Sequence, residues 1–115
     1  AMWLRDSANQ LLSYRQLLKA NSSTDSLASL YRGLINLQAR YINTAPFCNS
    51  FQAPLESGLQ PSKNQDNPDR VYPPVDNKTV FECKFELDSL AAFLEISSQY
   101  YETTGDIQFF RDFQW

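Results

Sequence analysis

The chain has 115 residues, 43% hydrophobic and 14% aromatic, which suits at most one globular domain and excludes a disordered or fibrous segment. Its formal net charge of −3 and pI near 4.8 argue against a general nucleic-acid or acidic-membrane binder. With no histidine and only two cysteines, Cys48 and Cys83, the chain contains neither a Ser-His-Asp or Cys-His catalytic set nor a zinc-ligand cluster.

In chain order, Ser7-Ala8-Asn9-Gln10 has the form of a capping box, Ser7 at the cap and Gln10 three positions on. Leu11, Leu12, Tyr14, Leu17 and Leu18 then set an apolar helical face to about Ala20. Asn21-Ser22-Ser23-Thr24 breaks it, and Thr24 or Asp25 is placed to cap a second helix. In that helix Leu27, Leu30, Tyr31, Leu34, Ile35, Gln38, Tyr41 and Ile42 repeat at i, i+3, i+4 and i+7, with one polar interruption. Two helices with a short connection predict an αα-hairpin.

From Thr44 to Thr79 the helical period is lost, and all six prolines fall between positions 46 and 74. Pro46 to Gln52 is aromatic and expected to be ordered, whereas Gln60 to Asp69 is polar and expected to be a mobile surface excursion. Thr79-Val80-Phe81-Glu82-Cys83-Lys84-Phe85 alternates and leads into a third helix. Leu87, Leu90, Ala91 and Leu94 predict its buried stripe, widened by Phe93, Ile96 and Tyr100. Gly105 suits the residue after a helix end and Asp106 a new cap, so a fourth helix is expected from Ile107. No internal repeat is seen.

Residues 1–115 contain neither an apolar run of membrane-span length nor a signal-peptide pattern. The chain opens inside a motif and closes on an aromatic run without a helix stop, which reads as a piece of a larger protein. Cys48 and Cys83 suit either a disulfide in a secretory protein or two buried thiols. Asn21-Ser22-Ser23 and Asn77-Lys78-Thr79 fit the N-glycosylation pattern. With eight Asn and 17 Ser plus Thr, roughly one such match arises by chance, so the motifs alone decide little.

Three clusters set polar groups beside aromatic ones where an element begins: Trp3-Arg5-Asp6, Asn49-Phe51-Gln52 and Glu82-Lys84-Glu86-Asp88. Each also has a plain structural reading. Asp6, Glu86 and Asp88 complement helix dipoles, Lys84 and Glu86 form a surface ion pair worth under about 1 kcal/mol, and Trp3 is core. Helix N-termini converging on one end of a bundle would instead make a polar floor with aromatic walls.

Met2-Trp3-Leu4-Arg5-Asp6-Ser7, then Cys48-Asn49-Ser50-Phe51, then Phe81-Glu82-Cys83-Lys84-Phe85-Glu86-Leu87-Asp88-Ser89-Leu90, in that order, resemble glycoside hydrolase family 125, the metal-independent exo-α-1,6-mannosidases. The resemblance covers almost the whole chain apart from the Pro-rich stretch. It implies an all-α fold in which helical hairpins form part of an (α/α)6 barrel, with residues 1–115 on the N-terminal side of one catalytic domain. It implies an inverting glycosidase, whose acid and base stand about 6.5–9.5 Å apart, both in segments beyond Trp115. No catalytic residue is then expected in this chain, and neither metal nor cofactor is needed.

The same resemblance implies a sugar-holding role for Trp3, Arg5, Asp6, Asn49, Lys84 and Glu86, with Asp accepting from and Arg donating to mannose hydroxyls. Ser7 as the cap leaves Asp6 free for sugar, and Asp88 is read as supporting or dipole-related. The expected partners are a mannose-containing oligosaccharide or glycan and the remainder of the same polypeptide, with no nucleic acid. The expected compartment is the secretory pathway or the exterior. A non-catalytic carbohydrate-binding or interaction protein is the second reading, and a glucoamylase-like (α/α)6 glycosidase the third.

Overall fold

The computed structural model describes residues 1–62 and 70–112. The elements run β1 (Met2–Trp3), α1 (Leu4–Leu12), α2 (Leu27–Thr44), β2 (Ser50–Phe51), β3 (Val80–Glu82), α3 (Leu87–Thr104) and α4 (Ile107–Asp112), with short 3-10 turns at Arg15–Leu17 and Leu55–Ser57. The chain is helix-rich as expected, but not purely all-α. Its three strands form one antiparallel sheet in the order β1-β2-β3, pairing Trp3 with Ser50 and Ser50 with Glu82. β3 falls within the alternating Thr79–Phe85 stretch, whereas the two-residue β1 and β2 are too short to leave a period of two in the sequence. Among the described residues the four helices do not close a ring.

The capping-box expectation fails, because α1 starts one turn earlier than Ser7. The chain passes directly from β1 into the helix, and Leu4 N–H is satisfied by Asn49 O at 3.1 Å rather than by a side-chain cap. Ser7 lies inside α1, where its hydroxyl donates back to Trp3 O at 2.8 Å and accepts from Gln38 Nε2 at 2.9 Å. Helix α1 ends at Leu12, short of the expected Ala20, and Leu17 is 69% exposed. Ser26, rather than Thr24 or Asp25, caps α2 by accepting from Ser29 N–H at 3.1 Å.

The predicted α1–α2 hairpin is not the main packing. Helix α1 lies chiefly against α3, and α2 packs on α3 as well. The reason is steric: Ala8 and Ala92 share one buried cluster, Ser89 is buried on the same helix as Ala92, and small residues let helices approach closely. The buried stripe of α3 is Ser89, Ala92, Ile96 and Tyr100: Ile96 and Tyr100 are buried as expected and Leu90 partly so, but Ser89 and Ala92 take the place expected of Leu87, Ala91 and Leu94. Leu87 and Leu94 are 72% and 66% exposed. Gly105, at φ 68°, closes α3, and Asp106 Oδ1 accepts from Phe109 N–H at 3.1 Å as the expected cap of α4.

One apolar cluster joins the helices through Tyr31, Ile35, Ile96, Tyr100 and Phe109, with Tyr31 stacked on Tyr100 at 6.3 Å. A second underlies the sheet, where Leu4, Phe51, Val80 and Cys48 surround Tyr41. There Tyr41 and Phe51 stack at 4.5 Å with planes 7° apart. A Cys48–Cys83 disulfide closes this end, deciding between the two cysteine readings. The expected order of Pro46 to Gln52 is observed as β2 and its approach. Of the polar Gln60–Asp69 stretch, residues 63–69 lie outside the described residues, while Ser62 is held by Gln52 through bonds of 2.9 and 3.0 Å.

Candidate functional site

The sheet brings the three sequence clusters to one end of the molecule. Strand β1 runs into α1, placing Arg5 and Asp6 in its first turn, and β3 leads into α3, placing Glu86 at its cap position and Asp88 in its first turn. Strand β2 lies between them and carries the Asn49 junction. The disulfide fixes the strands near β2 to the segment after β3.

Asn49 is the clip of this arrangement. It is 1% exposed, and its carbonyl accepts from Leu4 N–H. Its Oδ1 accepts from Lys84 N–H at 2.9 Å, and its Nδ2 donates to Glu82 Oε1 at 3.3 Å. One residue thus joins the approach to β2, through its backbone carbonyl, to the start of α1 and, through its carboxamide, to β3 and the lead into α3. Lys84 Nζ lies 3.3 Å from Glu82 Oε1, so its observed ion pair is with Glu82.

Arg5 is the charge centre. Its Nη1 donates to Asp88 Oδ2 at 2.6 Å, and Nη2 lies 3.8 Å from Asp6 Oδ2. The Asp88 hydrogen bond first, then the charges of Asp88, Asp6 and Glu86, hold the guanidinium pKa above its ordinary value against a small opposing cost of desolvation. Three carboxylates around one guanidinium leave the patch acidic, with many acceptors and one forked donor. The patch is open: the side chains of Arg5, Asp6 and Asp88 are 46%, 57% and 51% exposed. Trp3 is half-buried, its ring edge-on to Phe81 at 5.5 Å and 71°. Such a surface suits a neutral ligand rich in hydroxyl groups.

A model of the metal-independent α-mannosidases, glycoside hydrolase family 125, matches residues 1–115. The chain belongs to this family. It is 48% identical over 110 residues to the meiotically up-regulated gene 157 protein of Schizosaccharomyces pombe, an alignment covering 96% of this chain. The chain spans only 21% of that relative's length. No solved structure matches it.

In this family-125 segment the six residues singled out in the sequence lie at one end, but not as equals. Arg5, Asp6 and Trp3 remain accessible, with Arg5 under the charge of Glu86. Asn49 is spent on internal bonds. Asp88, which the sequence suggests is supporting or dipole-related, is the direct hydrogen-bond partner of Arg5. Glu82, with its side chain 18% exposed, was seen only as part of a charge run and proves to be shared by Asn49 and Lys84. Phe47 and Phe85, 69% and 63% exposed, face each other at 6.1 Å next to the disulfide cysteines. Their positions beside Cys48 and Cys83 were the only sequence signal for that pair.

Proposed function

We propose that residues 1–115 form the part of an inverting exo-α-1,6-mannosidase that holds the terminal mannose of a glycan. In this reading they belong to the N-terminal side of an (α/α)6 catalytic domain, and the catalytic acid and base come from the rest of the polypeptide. Membership of a mannosidase family supports the chemistry. The gathering of Arg5, Asp6, Glu86 and Trp3 on one acidic, half-exposed patch is the observation that carries the assignment.

The division of labour follows from side-chain chemistry. Carboxylates of Asp6 and Glu86 accept from sugar hydroxyls, Arg5 donates, and the Trp3 face walls the ring. Asn49, Lys84 and Glu82 support them from behind. Contacts to hydroxyls that strengthen as the ring flattens toward an oxocarbenium-like transition state lower the barrier without performing proton transfer. The openness of the patch supports a need for further walls. So do Leu30, Leu87 and Leu94, 57%, 72% and 66% exposed, apolar surface of the kind that neighbouring hairpins would cover.

The test uses the full-length protein on α-1,6-mannobiose and maltose. Turnover of the mannoside only is expected, and Asp6→Asn should lower kcat/KM at least about tenfold, about 1.4 kcal/mol. Wild-type kinetics in that variant refute the role of Asp6, and preference for maltose refutes the mannosidase assignment. The isolated 115 residues should not turn over either substrate.

A further inference from the structure

The loop between the first 3-10 turn and α2 holds a feature that the sugar patch leaves unexplained. Residues 19–25 are all exposed. Within them Asn21 Oδ1 accepts from Ser23 N–H at 2.8 Å, and Asn21 O accepts from Arg32 Nη1 at 2.9 Å. The backbone of Asn21-Ser22-Ser23 is thus tied down, and Asn21, whose Oδ1 makes one of these bonds, stays exposed. Arg32 lies in the second turn of α2, whereas Gln38, further along the same helix, reaches Leu4 beneath the sugar patch. A group attached at Asn21 therefore stands away from Arg5 and Asp6.

The tripeptide alone is weak evidence, since about one match is expected by chance. The Cys48–Cys83 disulfide is an independent observation. Structural disulfides form and persist in the oxidising compartments through which N-glycosylated chains pass. We propose that Asn21 carries an N-linked glycan and that the protein matures in the secretory pathway. The donor is a lipid-pyrophosphate-linked oligosaccharide of the host. A bond forms between Asn21 Nδ2 and the anomeric carbon as that carbon's bond to the pyrophosphate oxygen breaks. The pyrophosphate leaves with the electron pair, and the amide loses one proton to base.

The second matching tripeptide, Asn77-Lys78-Thr79, differs. Its threonine is half-buried, the hydroxyl bonded to Asp76 Oδ2 at 3.2 Å, and the turn is packed on Gln52, whose N–H donates to Thr79 O at 2.8 Å. Transfer takes place on the unfolded chain, so what the fold decides is whether a bulky glycan can be carried afterwards. In the Asn21 loop the Ser23 hydroxyl oxygen is likewise bonded, accepting from Asp25 N–H at 3.2 Å, but all of residues 19–25 are exposed.

The experiment expresses the full-length protein in a fungal host. The purified protein is treated with peptide-N-glycosidase in heavy-oxygen water, and the tryptic peptide from Ala20 to Arg32 is weighed. Conversion of Asn21 to a labelled aspartate is expected, with loss of the label and of the gel shift assigned to this site in both Asn21→Gln and Ser23→Ala. Ser23→Thr should retain both. An unmodified Asn21 in the wild-type protein overturns the proposal, including the case in which Asn77 alone is modified. The readout is a peptide mass, so it stands or falls independently of mannosidase activity.

Discussion

Arg5 and Asp88 are 83 positions apart in sequence, yet share a hydrogen bond of 2.6 Å between the first turns of α1 and α3. The bond couples the two helix starts at the patch where sugar is proposed to bind. It also fixes where the guanidinium fork points. Because both side chains are about half exposed and solvent screens their charges, the pair contributes little to stability. Its value is positional. In the full-length protein Asp88→Asn should leave the melting temperature nearly unchanged while raising KM for α-1,6-mannobiose about three- to tenfold, within roughly 1.4 kcal/mol of binding. Asp88→Glu should recover part of the loss. Equal KM values in Asp88→Asn and wild type would remove Asp88 from the site.

How far the sequence exposed this arrangement depends on the range of the interactions. Helix α2 was legible because its apolar period spans 18 residues. Gly105 and Asp106 announced the break between α3 and α4 through purely local backbone chemistry. Of the sheet, the alternation around β3 is legible, but the two-residue β1 and β2 are set by pairing across the chain, not by their own pattern. The start of α1 was misjudged for the same reason, since Asn49 O, not Ser7, satisfies its first N–H. On α3 three leucines suggest the apolar face, but it is Ser89 and Ala92, with Ile96 and Tyr100, that are buried where α1 and α2 pack. The candidate residues were legible as three clusters, but which carboxylate meets Arg5 is a tertiary fact.

The disulfide should matter more than any surface pair. It closes a separation of 35 residues around the Pro-rich stretch, and loop-closure entropy for that length gives about 4 kcal/mol in the chain-entropy model. In the full-length protein Cys83→Ser, with Cys48→Ser to avoid a free thiol, should lower stability by about 2–4 kcal/mol in denaturant unfolding. Loss of sugar affinity should accompany it, because the bridge holds the β2 end against the lead into α3. A double variant as stable as the wild type would show that strand pairing alone holds this end.

Asn49 offers a sharper probe of the same junction. Asn49→Ala strands the Lys84 N–H and removes the partner of Glu82, which should cost about 1–3 kcal/mol at this buried position. Asn49→Asp keeps an acceptor for Lys84 N–H but sets a carboxylate against Glu82 Oε1, now 3.3 Å from the amide nitrogen. Like charges disfavour ionisation, so the introduced carboxyl should have a raised pKa. Its destabilisation should then be greatest at neutral pH and shrink as pH falls toward about 4–5. Urea midpoints measured across that range test this, and a deficit independent of pH counts against the Glu82 contact.

Alkaline pH should loosen the core through three tyrosines. Burial is the leading cause that raises the pKa values of Tyr31, Tyr41 and Tyr100, and Tyr100 is raised further by its hydrogen bond to Asp106. Their hydroxyls donate to Leu11 O at 2.6 Å, Gln52 O at 2.5 Å and Asp106 Oδ2 at 2.7 Å, bonds that a phenolate cannot make. The folded pKa lies above the unfolded value of about 10, so the stabilisation is fully present below that pH and is lost as pH rises through the folded pKa. Tyr41→Phe in the full-length protein should therefore be less stable than wild type by about 1 kcal/mol near neutrality, the usual cost of one such hydrogen bond. That deficit should fall toward zero above about pH 10, because the wild type must then either retain a proton at increasing cost or unfold. Thermal unfolding of both proteins between neutral and alkaline pH measures the difference directly. A deficit that stays constant across the range would mean that the Tyr41 hydroxyl titrates alike in the folded and unfolded chain, and that its bond to Gln52 O does not hold the proton.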